Sequence, residues 1–158
     1  VVHFGIVLLF LGFTGQAFTK ETRHVVGIGE SFQIGRYDLR VDEMTERENP
    51  NYWSGQLNVA VAQNGREIFR MSPEKRYYFA SEQPSSEVAV ARQLREDLYL
   101  VYAGTNEDQT KAVIQAYVNP LVQWVWIGGV VMILGTAICL LPALKSSRTS
   151  TGSTAEVG

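Results

Sequence analysis

Residues 57–71 read LNVAVAQNGREIFRM, in which a short run of alternating residue types lies on either side of Asn64 and Gly65. Runs with period-two alternation and β-branched or aromatic enrichment are typical of β-strands. A two-residue type I′ turn needs positive φ at both central positions, which Asn and Gly adopt at little cost. The pattern therefore predicts a β-hairpin that turns at Asn64-Gly65.

The same strand pattern continues in both directions from this hairpin, between Val25 and Val118. Turn residues separate the runs at intervals of 8 to 15 residues, and no long helical pattern interrupts them. This spacing is typical of an all-β domain, a small antiparallel barrel or sandwich. We expect seven strands, in the runs SFQIG, YDLRVDEM, GQLNVAVAQ, REIFRMS, EVAVAR, DLYLVYA and KAVIQAYV.

Residues 72–87, SPEKRYYFASEQPSSE, do not fit this pattern. The segment is too long for a tight hairpin and contains two prolines, so we expect a surface loop, a type of segment that often carries binding function. Its charged trio, Glu74, Lys75 and Arg76, precedes three aromatic residues. The trio fits either a solvated turn or a surface that recognises a partner.

Two apolar segments flank the β region, because residues 1–19 and 112–144 contain no Asp, Glu, Lys or Arg. Residues 121–141 would span roughly 30 Å as a helix, the thickness of the hydrocarbon core of a bilayer. The sequence therefore predicts a fragment of a membrane protein, in which two transmembrane α-helices flank an extracytoplasmic β domain. The expected divisions are a transmembrane helix at 1–18, the β domain at 19–119, a second transmembrane helix at 120–142 and a disordered tail at 143–158.

The first apolar segment is open to a second interpretation, the apolar region of a signal peptide. That interpretation requires a basic start, which this segment lacks, so we expect a true span whose beginning can lie upstream of Val1. Lys145 and Arg148 follow the second apolar segment. Because positive charge near the end of a span is usually cytoplasmic, they favour a cytoplasmic tail.

Composition excludes several function classes. Between Lys20 and Lys111 there are 12 basic and 15 acidic residues, with both signs interspersed, which disfavours binding to nucleic acid. Cys139 is the only cysteine, so the chain has neither an internal disulfide nor a Cys-based zinc site. The β region has no Ser/His pair, no paired metal-binding histidines and no glycine-rich phosphate loop, so we predict no catalytic residue there.

Several residues of the apolar segments have simple structural interpretations. Trp124 and Trp126 fit an aromatic belt at a membrane interface. Small residues let helices approach closely, and the absence of a G-x-x-x-G pattern favours packing into a larger bundle over a simple dimer. The glycines concerned are Gly5, Gly12, Gly15, Gly128, Gly129 and Gly135.

His3 is the main candidate for a functional residue. An ionisable side chain inside a membrane span usually faces a bundle interior or a cavity, and neutral imidazole is a common ligand of haem iron. The alternative is a histidine at the water interface, because the depth of a residue so near Val1 is undetermined. The sequence alone leaves both interpretations open for His3, whereas His24, among charged residues, is expected to be interfacial.

Five stretches, in order, resemble the C-terminal portion of the CcmF family of cytochrome c-type biogenesis proteins, the membrane component of bacterial haem lyase. They are VVHFGIVLLFLGFTG, GESFQIGRYDLRV, PEKRYYF, SSEVAVARQLREDLYLVYAG and AYVNPLVQWVWIGGVVMILG. The resemblance implies the last two helices of a many-helix bundle in the bacterial inner membrane, with a periplasmic β domain between them. It also implies that His3 is one axial ligand of a membrane-embedded b haem, whose second axial histidine lies upstream of this chain.

The resemblance further implies a function in cytochrome c maturation. The lyase receives haem from a haem chaperone and joins the haem vinyl groups to the thiols of apocytochrome c. Quinol is the expected electron source for the b haem, and further partners are thiol-handling accessory subunits, the upstream part of the same protein and membrane lipid. We expect the chain alone to be inactive. The alternative is a non-catalytic anchor with two spans, whose periplasmic β domain serves as an interaction or assembly module.

Overall fold

The structure, a computed structural model, describes residues 1–140. Helix α1 (Val2–Thr14) continues into a 3-10 turn (Gly15–Phe18), and helix α2 (Val122–Leu140) follows the last strand. The tail expected at 143–158, the end of the second predicted span and the two basic residues used to orient it lie outside the described residues.

Ten strands lie between the two helices. All seven predicted runs form strands, and three strands were not predicted, namely the first, sixth and seventh. In chain order they are β1 (Lys20–Val26), β2 (Ser31–Ile34), β3 (Tyr37–Glu48), β4 (Tyr52–Gln63), β5 (Arg66–Met71), β6 (Glu74–Tyr78), β7 (Gln83–Glu87), β8 (Ala89–Ala91), β9 (Glu96–Thr105) and β10 (Ala112–Pro120).

The strands form two antiparallel sheets whose inner faces enclose the core. One sheet has the order β1-β10-β9-β8, and the other has the order β2-β3-β4-β6-β7, with β5 also paired to β4. Side chains from both inner faces are removed from water, as in a β-sandwich. The prediction of an all-β domain is therefore confirmed. The largest fully buried apolar side chains are Tyr37, Leu39, Leu57, Leu98, Leu100, Tyr102 and Ile114.

The hairpin predicted at Asn64-Gly65 is confirmed. Gln63 pairs with Arg66, which leaves a two-residue turn. Asn64 has φ of 52° and Gly65 has φ of 75°, the left-handed values that a type I′ turn requires. This turn sets the first pairs of β4 and β5, and a bulge at Ile68 shifts the register beyond them.

The surface loop predicted at 72–87 is wrong, because most of this segment forms the hairpin β6–β7. The buried Pro73 separates β5 from β6, both of which pair with β4, and its carbonyl accepts a hydrogen bond from the backbone N–H of Leu57 (3.0 Å). Pro84 lies on β7, an edge strand of its sheet, and edge strands tolerate a residue without a backbone N–H. The prolines that indicated a loop are thus compatible with strands at these two positions.

Among the described residues, α2 is the only helix long and apolar enough to cross a membrane. The helical segment Val2–Phe18 is also apolar but falls short of that length. Whether either segment spans a membrane stays a prediction.

Candidate functional site

The two apolar helices pack closely against each other through glycines. A Cβ atom on Gly5 would lie 2.6 Å from Met132 Cγ, and one on Gly128 would lie 2.8 Å from the backbone nitrogen of Leu9. Contacts this short leave no room for a larger residue, so the predicted close approach is confirmed at these positions. Gly129 differs, because nothing lies within 4 Å of its Cβ position.

His3 lies on the side of α1 that is turned away from α2. It precedes Gly5 by two residues, which is roughly 200° around an α-helix. His3 is exposed, and so are Val7 and Phe10 on the same stripe of the helix. The imidazole of His3 is therefore available to contact a group outside the α1–α2 pair. Within the part of the chain that the structure describes, no group of three or more His, Cys, Asp or Glu residues could hold a metal ion.

His24 lies in the β domain and already has partners. Its Nε2 is 2.9 Å from Thr22 Oγ1, and its ring centroid is 4.8 Å from that of Phe32. The side chain lies on β1, outside both helices. His3 is thus the only histidine on an apolar helix among residues 1–140.

A buried carboxylate joins the β domain to the first turn of α2. Asp97 is only 1% exposed, and it accepts hydrogen bonds from the backbone N–H of Gln93 (3.1 Å) and from Gln123 Nε2 (3.2 Å to each oxygen). Within residues 1–140, no Lys, Arg or His forms an ion pair with it. Since a buried polar group without partners is costly, these hydrogen bonds hold α2 against β9.

A cluster of polar side chains lies beside the junction between Asp97 and α2. Arg36 Nε lies 2.6 Å from Glu96 Oε1, and these two atoms are shielded from water and have no other partner among residues 1–140. The hydroxyl of Tyr37 accepts a hydrogen bond from Arg36 (3.3 Å) and donates one to Gln93 Oε1 (3.4 Å). The hydrogen bond to Tyr37 raises the pKa of Arg36, and burial raises the pKa of Tyr37. Together these contacts tie the β2–β3 turn to the start of β9.

A groove of about 540 Å³ opens where the two helices meet the β domain. Apolar residues line most of it, among them Phe13, Val125 and Trp126, and Gln16 and Asn119 contribute polar atoms. Trp126 is 69% exposed, whereas Trp124 is half-buried. The position of both indoles at the domain end of α2 is the one that an aromatic belt would occupy.

The charged trio of residues 74–76 belongs to strand β6, so its interpretation as a solvated turn is wrong. Neighbouring residues of a strand point to opposite faces of the sheet. Arg76 lies on the outer face, where it forms ion pairs with Glu74 (3.0 Å) and Glu87 (3.4 Å) and lies over the ring of Tyr52. The hydrogen bond from Arg76 lowers the pKa of Glu74, and the hydrogen bond to Glu74 raises the pKa of Arg76. Lys75 faces the interior of the sandwich.

The sequence identified His3 but missed the junction around Asp97. One signal was present, since Gln123 is an isolated amide in an otherwise apolar helix. Its partner could not be found from the sequence, because Asp97 is 26 residues away, at the start of a strand whose register was unknown.

Comparisons with known proteins agree with this fold. A family model described as the CcmF C-terminal beta-sandwich matches residues 17–120. The cytochrome c-type biogenesis protein CcmF of Haemophilus influenzae is 33% identical over 141 residues, which cover 89% of this chain and 22% of that protein. The Escherichia coli protein of the same name is 29% identical over 154 residues, which cover 97% of this chain and 24% of that protein.

A solved structure, of Cytochrome c Heme Lyase CcmF, has a similar fold. The TM-score is 0.71 at 19% sequence identity, over 89% of this chain and 24% of that one. At this identity the likeness concerns the fold alone. The chain spans about a quarter of the length of these relatives or less.

Proposed function

The chain belongs to the CcmF family, whose C-terminal β-sandwich it contains, and from this membership we propose that it is part of a haem lyase that acts in cytochrome c maturation. The observation that carries the proposal is the family match over residues 17–120, supported by relatives that align with 89% or more of the chain. We assign the lyase activity to a longer protein, to which this chain would contribute the C-terminal β-sandwich and its flanking helices. We expect the 158-residue chain alone to be inactive.

We further propose that α1 and α2 lie in the bacterial inner membrane with the β domain in the periplasm. The absence of charge from residues 1–19 and 112–144 supports this arrangement, as does the apolar exposed surface of α2. The end of α1 packs against the start of α2, and the β domain lies between these two points in the chain, so both helices join it from one side. Trp124 and Trp126 would then lie at the periplasmic interface.

His3 is proposed as one axial ligand of a b haem in the membrane. The residues present suit one half of such a site, because His3 is an exposed imidazole on an apolar stripe of α1 that α2 leaves uncovered. A neutral ring nitrogen of His3 would hold the iron, and a second ligand would come from the upstream part of the protein. Bound there, haem would supply one-electron chemistry. His3 would not act as an acid or a base.

The proposed partners follow from this role. A haem chaperone would deliver haem, apocytochrome c would present its thiols together with thiol-handling accessory subunits, and quinol would supply electrons. Each thiol adds across a haem vinyl group, its sulfur bonding to one carbon and a hydrogen to the other, so no group leaves. Helices α1 and α2 would contact membrane lipid and the upstream helices of the same protein.

The experiment replaces the equivalent of His3 by Ala in the full-length protein. We expect loss of the reduced b-haem absorption bands and a lower yield of mature cytochrome c, with partial recovery when imidazole is added. The matched control is His24→Ala, which removes the other histidine of this chain and should leave the bands unchanged. Unchanged bands and yield in the His3 variant would instead favour the non-catalytic anchor.

A further inference from the structure

A cleft of about 530 Å³ opens between the two sheets at the end of the β domain far from the helices. Eight residues line this distal cleft, namely Trp53, Lys75, Tyr77, Pro84, Tyr102, Ala103, Gly104 and Thr105. Strand β9 runs from the helices to the distal cleft. Glu96, at its start, pairs with Pro120 next to α2, and Thr105, at its other end, lines the cleft. Ten strand residues span roughly 30 Å. The distal cleft is therefore separate from His3 and from the junction at Asp97.

Aromatic rings form the floor and one wall of the distal cleft. Trp53 and Tyr77 are paired in register on β4 and β6, so their side chains share one face, which is the inner face because it also carries the buried Leu57. Gly55 leaves space for two rings, because a Cβ atom there would lie 3.0 Å from Tyr102 Cε1 and 3.1 Å from Trp53 Cη2. Tyr102 is 1% exposed and Tyr77 is 41% exposed, so the floor is buried and the rim is accessible.

Lys75 places a positive charge in the distal cleft. Its Nζ donates a hydrogen bond of 2.5 Å to the carbonyl of Ala103. That carbonyl is available because β9 bulges there: Tyr102 pairs with Ile114 and Gly104 with Val113, so Ala103 has no partner in the register. Among residues 1–140, no carboxylate forms an ion pair with Lys75. The ammonium group is thus fixed in position without a counter-charge.

We propose that the distal cleft binds an extended segment of another polypeptide, which lays an aromatic side chain against Trp53 and Tyr77 and an adjacent carboxylate on Lys75. The uncompensated ammonium selects the carboxylate, and the rings select the aromatic group by stacking. A polypeptide fits because the cleft is open rather than enclosed and borders β7, the last strand of its sheet. This inference requires neither His3 nor haem.

The test uses the full chain in detergent with Trp124→Phe and Trp126→Phe, so that Trp53 is the only tryptophan. The probe is the peptide acetyl-GSFDFSG-amide, compared with one peptide in which Asn replaces Asp and another in which Ala replaces both Phe residues. We expect a saturable change in Trp53 emission with the first peptide. Each altered peptide should bind roughly tenfold more weakly, the factor that corresponds to 1.4 kcal/mol. No saturable change at millimolar peptide would overturn the proposal.

Protein variants assign the binding to the distal cleft. Lys75→Met and Tyr77→Ala should each weaken binding about tenfold, and Lys75→Arg should retain most of it. Phe79→Ala is the matched control, because Phe79 is 44% exposed but does not line the cleft. If Lys75→Met unfolds the domain by leaving the carbonyl of Ala103 unpaired, Tyr77→Ala decides alone. Equal binding by parent and Tyr77→Ala would refute the site.

Discussion

Two adjacent glycines of α2 provide a matched test of how α1 and α2 pack. Replacing Gly128 by Ala would place a Cβ atom 2.8 Å from the backbone nitrogen of Leu9 and 2.9 Å from the carbonyl oxygen of Gly5. Both contacts are with backbone atoms, which cannot rotate away. The Cβ atom of Gly129→Ala would meet nothing within 4 Å. We therefore expect Gly128→Ala to weaken the helix pair and Gly129→Ala to leave the pairing intact.

The size of the effect follows from these distances. Carbon contacts are normally about 3.5–4.0 Å, so α1 and α2 would have to separate by roughly 0.7 Å at Gly128. Overpacking of this kind costs about 1–3 kcal/mol. Replacing Gly by Ala in a helix gains about 1 kcal/mol at either position. That gain cancels in the comparison, so Gly128→Ala should be less stable than Gly129→Ala by about 1–3 kcal/mol.

The assay is an SDS titration of the full chain in mild detergent, in a Trp53→Phe background. The two remaining tryptophans, Trp124 and Trp126, both lie near the start of α2, so their emission reports on separation of that helix. Circular dichroism at each point would check that α2 stays helical. If Gly128→Ala proves as stable as Gly129→Ala, the close approach through Gly5 and Gly128 is not what holds the helices together.

Two further predictions concern the β domain. Asp97→Ala should lower the free energy of unfolding by about 1–3 kcal/mol for each of the two donors left without an acceptor. Asp97→Asn keeps one carbonyl oxygen and should lower it less. Equal unfolding temperatures of the two variants would contradict this prediction. Arg76 lowers the pKa of Glu74 below its ordinary value of 4.5, so the stabilisation from this carboxylate is complete above that pH and is lost as the pH falls through the lower folded-state pKa. Between about pH 5 and pH 3, the urea midpoint of the parent should therefore fall further than that of Glu74→Gln, and parallel curves would show that this pair contributes nothing.

Much of the β domain follows from local patterns, and what the patterns missed has a physical reason. The Asn64-Gly65 hairpin was predictable because its turn chemistry is local. Strand β1 was missed because it is an edge strand, which tolerates Lys20, Glu21 and Arg23. Hairpin β6–β7 was missed because its prolines lie where no N–H is needed, and because Arg76 is held on the outer face by ion pairs.

The candidate sites also divide into one that a local sequence pattern predicts and one that depends on how the strands pair. His3 could be identified because an imidazole in an apolar run is a local anomaly. The distal cleft could not, because it joins Trp53 on β4, Lys75 on β6 and Ala103 on β9, and only the register of two sheets brings them together. The charges at residues 74–76 are plain in the sequence, but their division between the two faces of a sheet depends on their forming strand β6.

The His3 and Gly128 experiments together separate the haem-ligand proposal from the anchor alternative. An anchor needs the helix pair but no imidazole, so in that case Gly128→Ala would reduce cytochrome c yield and His3→Ala would not. A haem-ligand role needs both the helix pair and the imidazole. Packing against α2 must hold α1 in place while the stripe of His3, Val7 and Phe10 faces the rest of the protein. Loss of b-haem absorption in the His3 variant, with the protein still present in the membrane, is the outcome that only the ligand proposal predicts. Loss of the protein itself from the membrane would show instead that His3 acts in packing.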